Sequence, residues 1–387
     1  MRFWTVCLAS LSLMACATGP APRPLAMPST PRTPLPPTDA GILFWDQATR
    51  TDRFRHLEDF YAGQEVAAAA RLRTLPRGAA LDAATVAKIE PLLETINAAG
   101  IMVLQDGKIR YERYRLGFAP EQRWTSFSVA KSFTSTLLGA AVKDGALSLS
   151  DPVTRHLPGL AGTAYDGVTV EQVATMTSGV RWNEDYTDPK SDVARMLTVT
   201  PVAGEPQSVT YAKTLAREAP AGSKWVYKTL ETNLLGDIVA AATGRSLADY
   251  AKEKIVDPAG FAGGLFWMTD LTGRNIGGCC LSIRLSDYAR TGQWVLEGGQ
   301  PSVPADWFDK AGRQQVAVGG GIGYGYQWWT NPQGFGAQGI FGQYITIVPR
   351  QRLVIAVVSS HPVATGKVLS DARLALWHAI AEGARQP

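Results

Sequence analysis

The sequence predicts an α+β fold, an antiparallel sheet flanked by helices. Three observations carry this. Ile101-Met102-Val103-Leu104, the dipeptide Asp106-Gly107 and the run Ile109 to Tyr114 read as two strands closed by a tight hairpin turn. Ile340 to Val348 and Leu353 to Ser359 read as a second hairpin, joined at Pro349-Arg350. Ala364 to Gly383 has the apolar spacing of an amphipathic helix that would cover the sheet. The 387 residues suffice for one large domain or two intimately packed ones.

The first residues stand apart from that fold. Met1-Arg2 is a short positive start and Phe3 to Met14 is largely apolar, so residues 1–16 read as a signal peptide. The apolar run is too short to span a bilayer. Leu13-Met14-Ala15-Cys16 resembles the bacterial lipobox, which implies lipidation of Cys16 and a membrane association through that anchor alone. Ala17 after the cysteine implies, by the same resemblance, an outer-membrane lipoprotein facing the periplasm. Residues 17–40 are dense in proline, stay extended and serve as a disordered linker. The folded domain then occupies residues 41–387. The whole chain's net charge of +4 has no basic block, which argues against a nucleic-acid partner. Cys279 and Cys280 read as small unpaired residues, because neighbouring cysteines pair only under strain.

Within the domain, Phe60 to Leu75 is alanine-rich without strand alternation and reads as helical. Ala84 to Ala98 repeats apolar residues at helical spacing, with Gly100 ending that helix. Thr169 with Gln172 forms the pattern of a capping box, and the helix it opens should stop at Gly179. Residues 180–222 are loop-rich, with aromatics and carboxylates suited to a substrate wall. A helix through Leu234, Leu235 and Ile238 should end at Gly244, a second should run from Leu247 to Ile255, and a third should be capped by Ser286. Gly319 to Gly325 is glycine-rich but lacks the Lys-Ser/Thr of a phosphate loop. Trp328 and Trp329 point to opposite faces of a strand, so one at most should line a cleft.

The chemistry concentrates in Trp124 to Phe133, which contains Ser128-Val129-Ala130-Lys131 ahead of a helical run. A serine at a helix start has Lys131 almost one turn away on the same face. The hydroxyl needs a base within hydrogen-bond reach, and burial beside a positive helix end lowers a lysine into that role. Free amides at the helix start offer part of an oxyanion hole.

Ser128-Val129-Ala130-Lys131, Tyr227-Lys228-Thr229 and Ile340-Phe341-Gly342-Gln343, in that order, resemble the serine beta-lactamase and penicillin-binding-protein superfamily. Within it the chain is most similar to class C-type esterases and the 6-aminohexanoate-dimer hydrolases. Thr175 to Val180, Asn183 to Tyr186 and Gly278 to Leu281 support the likeness over roughly residues 90–385. The resemblance implies a beta-lactamase-like α/β sandwich with an all-helical insert at roughly 135–285. It implies a serine hydrolase that forms an acyl-enzyme on Ser128, with Lys131 as proton acceptor and Tyr227 as proton shuttle, able to share protons with Lys131 as a tyrosinate. The amides of Ser128 and Gln343 would form the oxyanion hole, and Glu184, Tyr186, Thr229 and Phe341 would contact substrate. Neither a cofactor nor a metal is implied.

Two departures shape the expected substrate. Thr229 stands where the family has Asn or Ser. The Lys-Thr-Gly counterpart reads Ile340-Phe341-Gly342, which removes a cation that would hold a substrate carboxylate. An ester or neutral amide is the expected small-molecule substrate, hence a carboxylesterase or amidohydrolase. The alternatives are a beta-lactamase or D,D-peptidase, and an inactive module that recognises cell-wall material. A Ser-His-Asp triad would draw on His56, His156, His361 or His378, but no Gly-x-Ser-x-Gly elbow is present. No histidine pair has zinc-ligand spacing.

Overall fold

The computed structural model describes Met1 and residues 40–385; Cys16, the signal segment and the proline-rich linker up to residue 39 lie outside the described residues. The main sheet has eight antiparallel strands in the order β3-β2-β12-β11-β10-β9-β8-β7, and a four-stranded sheet runs β1-β5-β6-β4. The strands are β1 (Gly63–Val66), β2 (Ala98–Gln105), β3 (Lys108–Tyr114), β4 (Trp124–Thr125), β5 (Leu265–Met268) and β6 (Leu281–Ile283). The remainder are β7 (Val316–Gly319), β8 (Ile322–Tyr324), β9 (Trp329–Asn331), β10 (Gly334–Gly339), β11 (Gln343–Val348) and β12 (Leu353–Ser359).

Side-chain alternation divides the large sheet into two faces. Ile101, Val103, Tyr344, Ile355 and Val357 pack with the helices Ala83–Thr95 and Lys367–Gly383 on the outer face. Met102, Leu104, Ile345, Ile347, Val354 and Ala356 join the larger core on the inner face. There the helices Val129–Lys143 and Leu285–Leu296 lie against the sheet. Between β4 and β5 the described chain contains helices and loops but no named strand.

Both hairpins form, with Asp106 and Gly107 at positive φ in the first turn. The capping box at Thr169 and Gln172 closes in both directions. Gly244 ends the helix Thr229–Thr243 in the left-handed conformation. Several expectations are corrected. Phe60 to Leu75 is not helical: Gly63–Val66 pairs with Leu265–Met268, and a Cβ at Gly63 would lie 2.2 Å from the Phe266 ring. Gly100 sits within β2, facing Leu285 and Phe118, and does not end a helix. The capping-box helix stops at Ala174 rather than at Gly179. The helix expected from Leu247 to Ile255 becomes π-helical after Ala251.

Ser286 is inside its helix and Arg284 holds the cap position; Asp287 accepts the Ala262 and Gly263 amides and pairs with Arg290. Ile340, Phe341 and Gly342 form the turn between β10 and β11 instead of a strand. The C-terminal helix begins at Lys367. Cys279 and Cys280 lie side by side just before β6, with Cys280 buried.

Candidate active site

The nucleophile candidate is held by a strand-turn-helix. β4 pairs with β6, Ser126 exchanges backbone and side-chain bonds with Leu281, and the helix starts directly after Ser128. Phe127 has φ of 42°, a costly conformation for a bulky residue. The rings of Phe54 and Phe341, 5.0 and 5.2 Å from its own, lock it there. The Ser128 hydroxyl makes no capping bond and is therefore free for chemistry.

Lys131 Nζ lies 3.0 Å from Ser128 Oγ and donates to the Gly278 carbonyl at 2.8 Å. Its side chain is buried, and burial pushes the ammonium down to about 7 while the Glu184 charge opposes the fall. The Gly278 carbonyl is fixed because its amide donates to Asn233 Oδ1 at 2.8 Å. A Cβ at Gly278 would approach Thr229 Cγ2 to 2.8 Å, so only glycine fits against that helix.

The Tyr227 hydroxyl is hydrogen-bonded to Ser128, and its ring stacks on Trp329 with centroids 5.6 Å apart. Trp328 points the other way and is buried, as the alternation expected. Burial first, and then the Glu184 charge, push Tyr227 well above the usual phenol range. The expected tyrosinate is thus corrected: Lys131 is the group poised near neutrality, and Tyr227 keeps its proton. Beneath Tyr227, Lys228 and Glu231 form a fully buried ion pair at 3.5 Å, with Ser178 donating to Glu231. This pair anchors the loop-to-helix entry that aims the tyrosine.

Glu184 collects the remaining polar groups. It accepts from the Thr229 amide at 2.9 Å, from Tyr186 Oη at 2.9 Å, and from Thr229 Oγ1 and Trp182 Nε1. Glu184, Tyr186 and Thr229 meet at the site, where Tyr186 and Thr229 both donate to Glu184.

The Gln343 side chain is buried, donating to the Ile340 carbonyl at 3.2 Å and accepting the Ser359 amide at 2.8 Å. The chain that abuts the Ser128 amide is Gly339: a Cβ there would lie 3.0 Å from Ser128 N and 2.6 Å from Ser126 O. Neither the Ser128 nor the Ile340 amide donates to a backbone carbonyl among the described residues. These two are the available oxyanion donors, with Gln343 bracing Ile340 from behind. Phe341 is buried between Phe54, Phe127 and the Arg50 guanidinium, 4.5 Å from its ring centroid, and does not wall a cleft.

The four histidines form no triad with Ser128: His156 pairs with Asp151, and buried His361 packs behind Gly342. The sequence reading missed Asn233, Gly278, the Lys228–Glu231 pair and Ile340. Gly278, Ile340 and Lys228 carried a signal, through their places in the Gly278 to Leu281, Ile340 to Gln343 and Tyr227 to Thr229 motifs; Asn233 and Glu231 carried none.

The family model for Beta-lactamase matches residues 86–268. A 6-aminohexanoate-dimer hydrolase of Paenarthrobacter ureafaciens is 30% identical over 329 residues, covering 76% of this chain and 79% of that protein. Among solved structures, a Bacillus anthracis protein provisionally assigned as a 6-aminohexanoate-dimer hydrolase superposes with a TM-score of 0.77. It has 23% identity and covers 87% of this chain and 94% of that one. EstCE1, a hydrolase with promiscuous acyltransferase activity, gives a TM-score of 0.63 at 14% identity, covering 76% of this chain and 97% of that one.

Proposed function

The chain belongs to the beta-lactamase-fold serine hydrolase family, and on that footing we propose that it is a carboxylesterase or neutral-amide hydrolase working through an acyl-enzyme on Ser128. One observation carries this reading: a buried lysine held near neutrality, 3.0 Å from the serine oxygen. Neutral Lys131 takes the Ser128 proton as Oγ bonds to the acyl carbon. The negative oxygen that develops meets the Ser128 and Ile340 amides. Tyr227, a retained phenol, gives its proton to the leaving oxygen or nitrogen as that bond breaks, and Lys131 restores the tyrosine proton. Water then repeats the attack on the acyl-enzyme and releases the acid.

An uncharged substrate suits the surroundings. Residues 334–343 contain no Lys or Arg, and Arg50 is spent on the Phe341 ring and on the Pro362 carbonyl at 2.7 Å. We place the protein on the periplasmic side of the bacterial envelope, anchored through Cys16 to the outer membrane. Radiolabelled palmitate incorporation that persists in Cys16→Ser would remove that placement.

The test of the activity is hydrolysis of a short-chain p-nitrophenyl ester by residues 17–387, beside Ser128→Ala. A phosphonate adduct located on Ser128 by mass spectrometry accompanies it. Turnover and adduct both absent from the variant are the expected result. Equal rates in the two proteins, or no turnover and no adduct in either, refute the assignment and favour a recognition module without activity.

A further inference from the structure

We propose that the outer face of the large sheet carries a binding site for an amphipathic carboxylate, with Arg373 as its cation. The C-terminal helix covers only part of that face. Beside it lies a cavity of about 430 Å³, within the size range of small-molecule sites. Its floor is open because Gly336 presents no side chain where β10 passes beneath, and Trp329 and Trp377 contribute to its walls. Ile322 and Leu374 line it and are 44% and 45% exposed, which leaves apolar surface in water at the rim.

The polar end is as defined as the apolar one. Arg373 projects into the cavity with its guanidinium 5.7 Å from the Tyr344 ring centroid, and no carboxylate among the described residues pairs with it. Burial lowers its affinity for a proton, as expected of a cation without a counter-ion. The acid nearest in sequence, Asp371, is occupied at 2.6 Å by Lys367. A neutral donor on the cavity wall lacks an acceptor: Trp377 Nε1 is buried without a hydrogen-bond partner among the described residues. A half-buried cation and an unsatisfied donor beside an apolar trough select an anion with a greasy tail. A carboxylate satisfies the guanidinium in a planar, two-point manner.

This site is on the face of the sheet that the C-terminal helix covers, opposite the Ser128 helix: Trp377, which lines it, packs against the outer-face core. It adjoins the catalytic cleft at one point, Trp329, which lines the cavity and stacks on Tyr227. The proposal does not depend on what Ser128 hydrolyses.

Calorimetric titration of Ser128→Ala with sodium octanoate, octanol and octylamine tests it. Octanoate should bind, octylamine should not, and octanol should bind about tenfold or more weakly. Adding Arg373→Leu should weaken octanoate about tenfold or more while leaving octanol unchanged, and Arg373→Lys should retain part of the affinity. Trp377→Phe, which keeps the wall and removes the donor, provides a milder second variant with a smaller loss. Equal affinity for octanoate and octanol, or octanoate binding unaffected by both Arg373→Leu and Trp377→Phe, overturns the proposal.

Discussion

The pH dependence of kcat/KM tests the assigned base directly. Lys131 is brought from 10.5 to about 7 by burial, working against the Glu184 charge. That change represents a penalty of about 5 kcal/mol on the ammonium, large enough to leave the amine neutral in half the molecules at neutral pH. The sign follows from which form reacts: the neutral amine accepts the serine proton, so activity rises with pH through the folded-state value. At pH 6 about one molecule in eleven would carry the neutral amine, and kcat/KM should be roughly a tenth of its plateau. Above pH 8 it should be flat, because Tyr227 is pushed up by burial and keeps its proton there. Initial rates with a short-chain p-nitrophenyl ester in constant-ionic-strength buffers from pH 5 to 9.5, corrected for spontaneous hydrolysis, give the profile. A rate still climbing tenfold per unit at pH 9 would mean an ordinary solvated lysine and would refute the argument from burial.

Three further perturbations have defined outcomes. Glu184→Gln removes the charge that raises Lys131, so the rising limb should move to lower pH; an unmoved limb would show that Glu184 does not sense the lysine. Gly339→Ala places a methyl 2.6 Å from Ser126 O and 3.0 Å from Ser128 N, and should cost about a hundredfold in kcat and about 1–3 kcal/mol of stability. Gly366→Ala, whose nearest neighbour would be 3.7 Å away, should do neither, and thermal melts with kinetics compare the two. Lys228→Met leaves Glu231 buried without its cation, a loss of about 3–5 kcal/mol. Glu231 is already held above its usual range by burial, so its neutral form is the one the fold tolerates, and the deficit in denaturant melts should be larger at pH 8 than at pH 5.

What could be read from sequence was whatever local spacing determines. Ser128 and Lys131 are three residues apart on one helix, and Thr169 and Gln172 need only their own turn to make a capping box. The hairpins announced themselves by apolar runs around Asp106-Gly107 and Pro349-Arg350. Long-range packing was not legible. Phe60 to Leu75 lacks alternation because β1 is covered on more than one side, with even Gln64 buried and bonded to Asp249 at 2.6 Å. Ser286 looked like a cap, but Asp287 next to it binds the Ala262 and Gly263 amides, and the helix starts a residue earlier. The turn at Ile340 to Gly342 was read as strand, so Ile340, whose amide donates to no backbone carbonyl among the described residues, went unnoticed beside Ser128.

Thr229 looked like a weakness in the site, since one hydroxyl cannot reproduce a carboxamide. The structure shows what compensates. Both the Thr229 amide and its hydroxyl donate to Glu184, so this helix start is tied to the loop by a carboxylate. The same carboxylate raises Lys131 and Tyr227, which keeps the lysine from falling further and the phenol protonated. That arrangement carries a consequence for substrate. An anionic group entering beside Lys131 and Tyr227 would meet the Glu184 charge, with no Lys or Arg in residues 334–343 to offset it. Near-surface like charges a few ångströms apart cost on the order of a few kcal/mol, enough to favour an uncharged ester or amide by several hundredfold. On the proposed reading Glu184 would act twice, shifting the proton equilibrium of Lys131 and disfavouring charged substrates, and both effects would trace to one residue in a loop that sequence periodicity leaves blank.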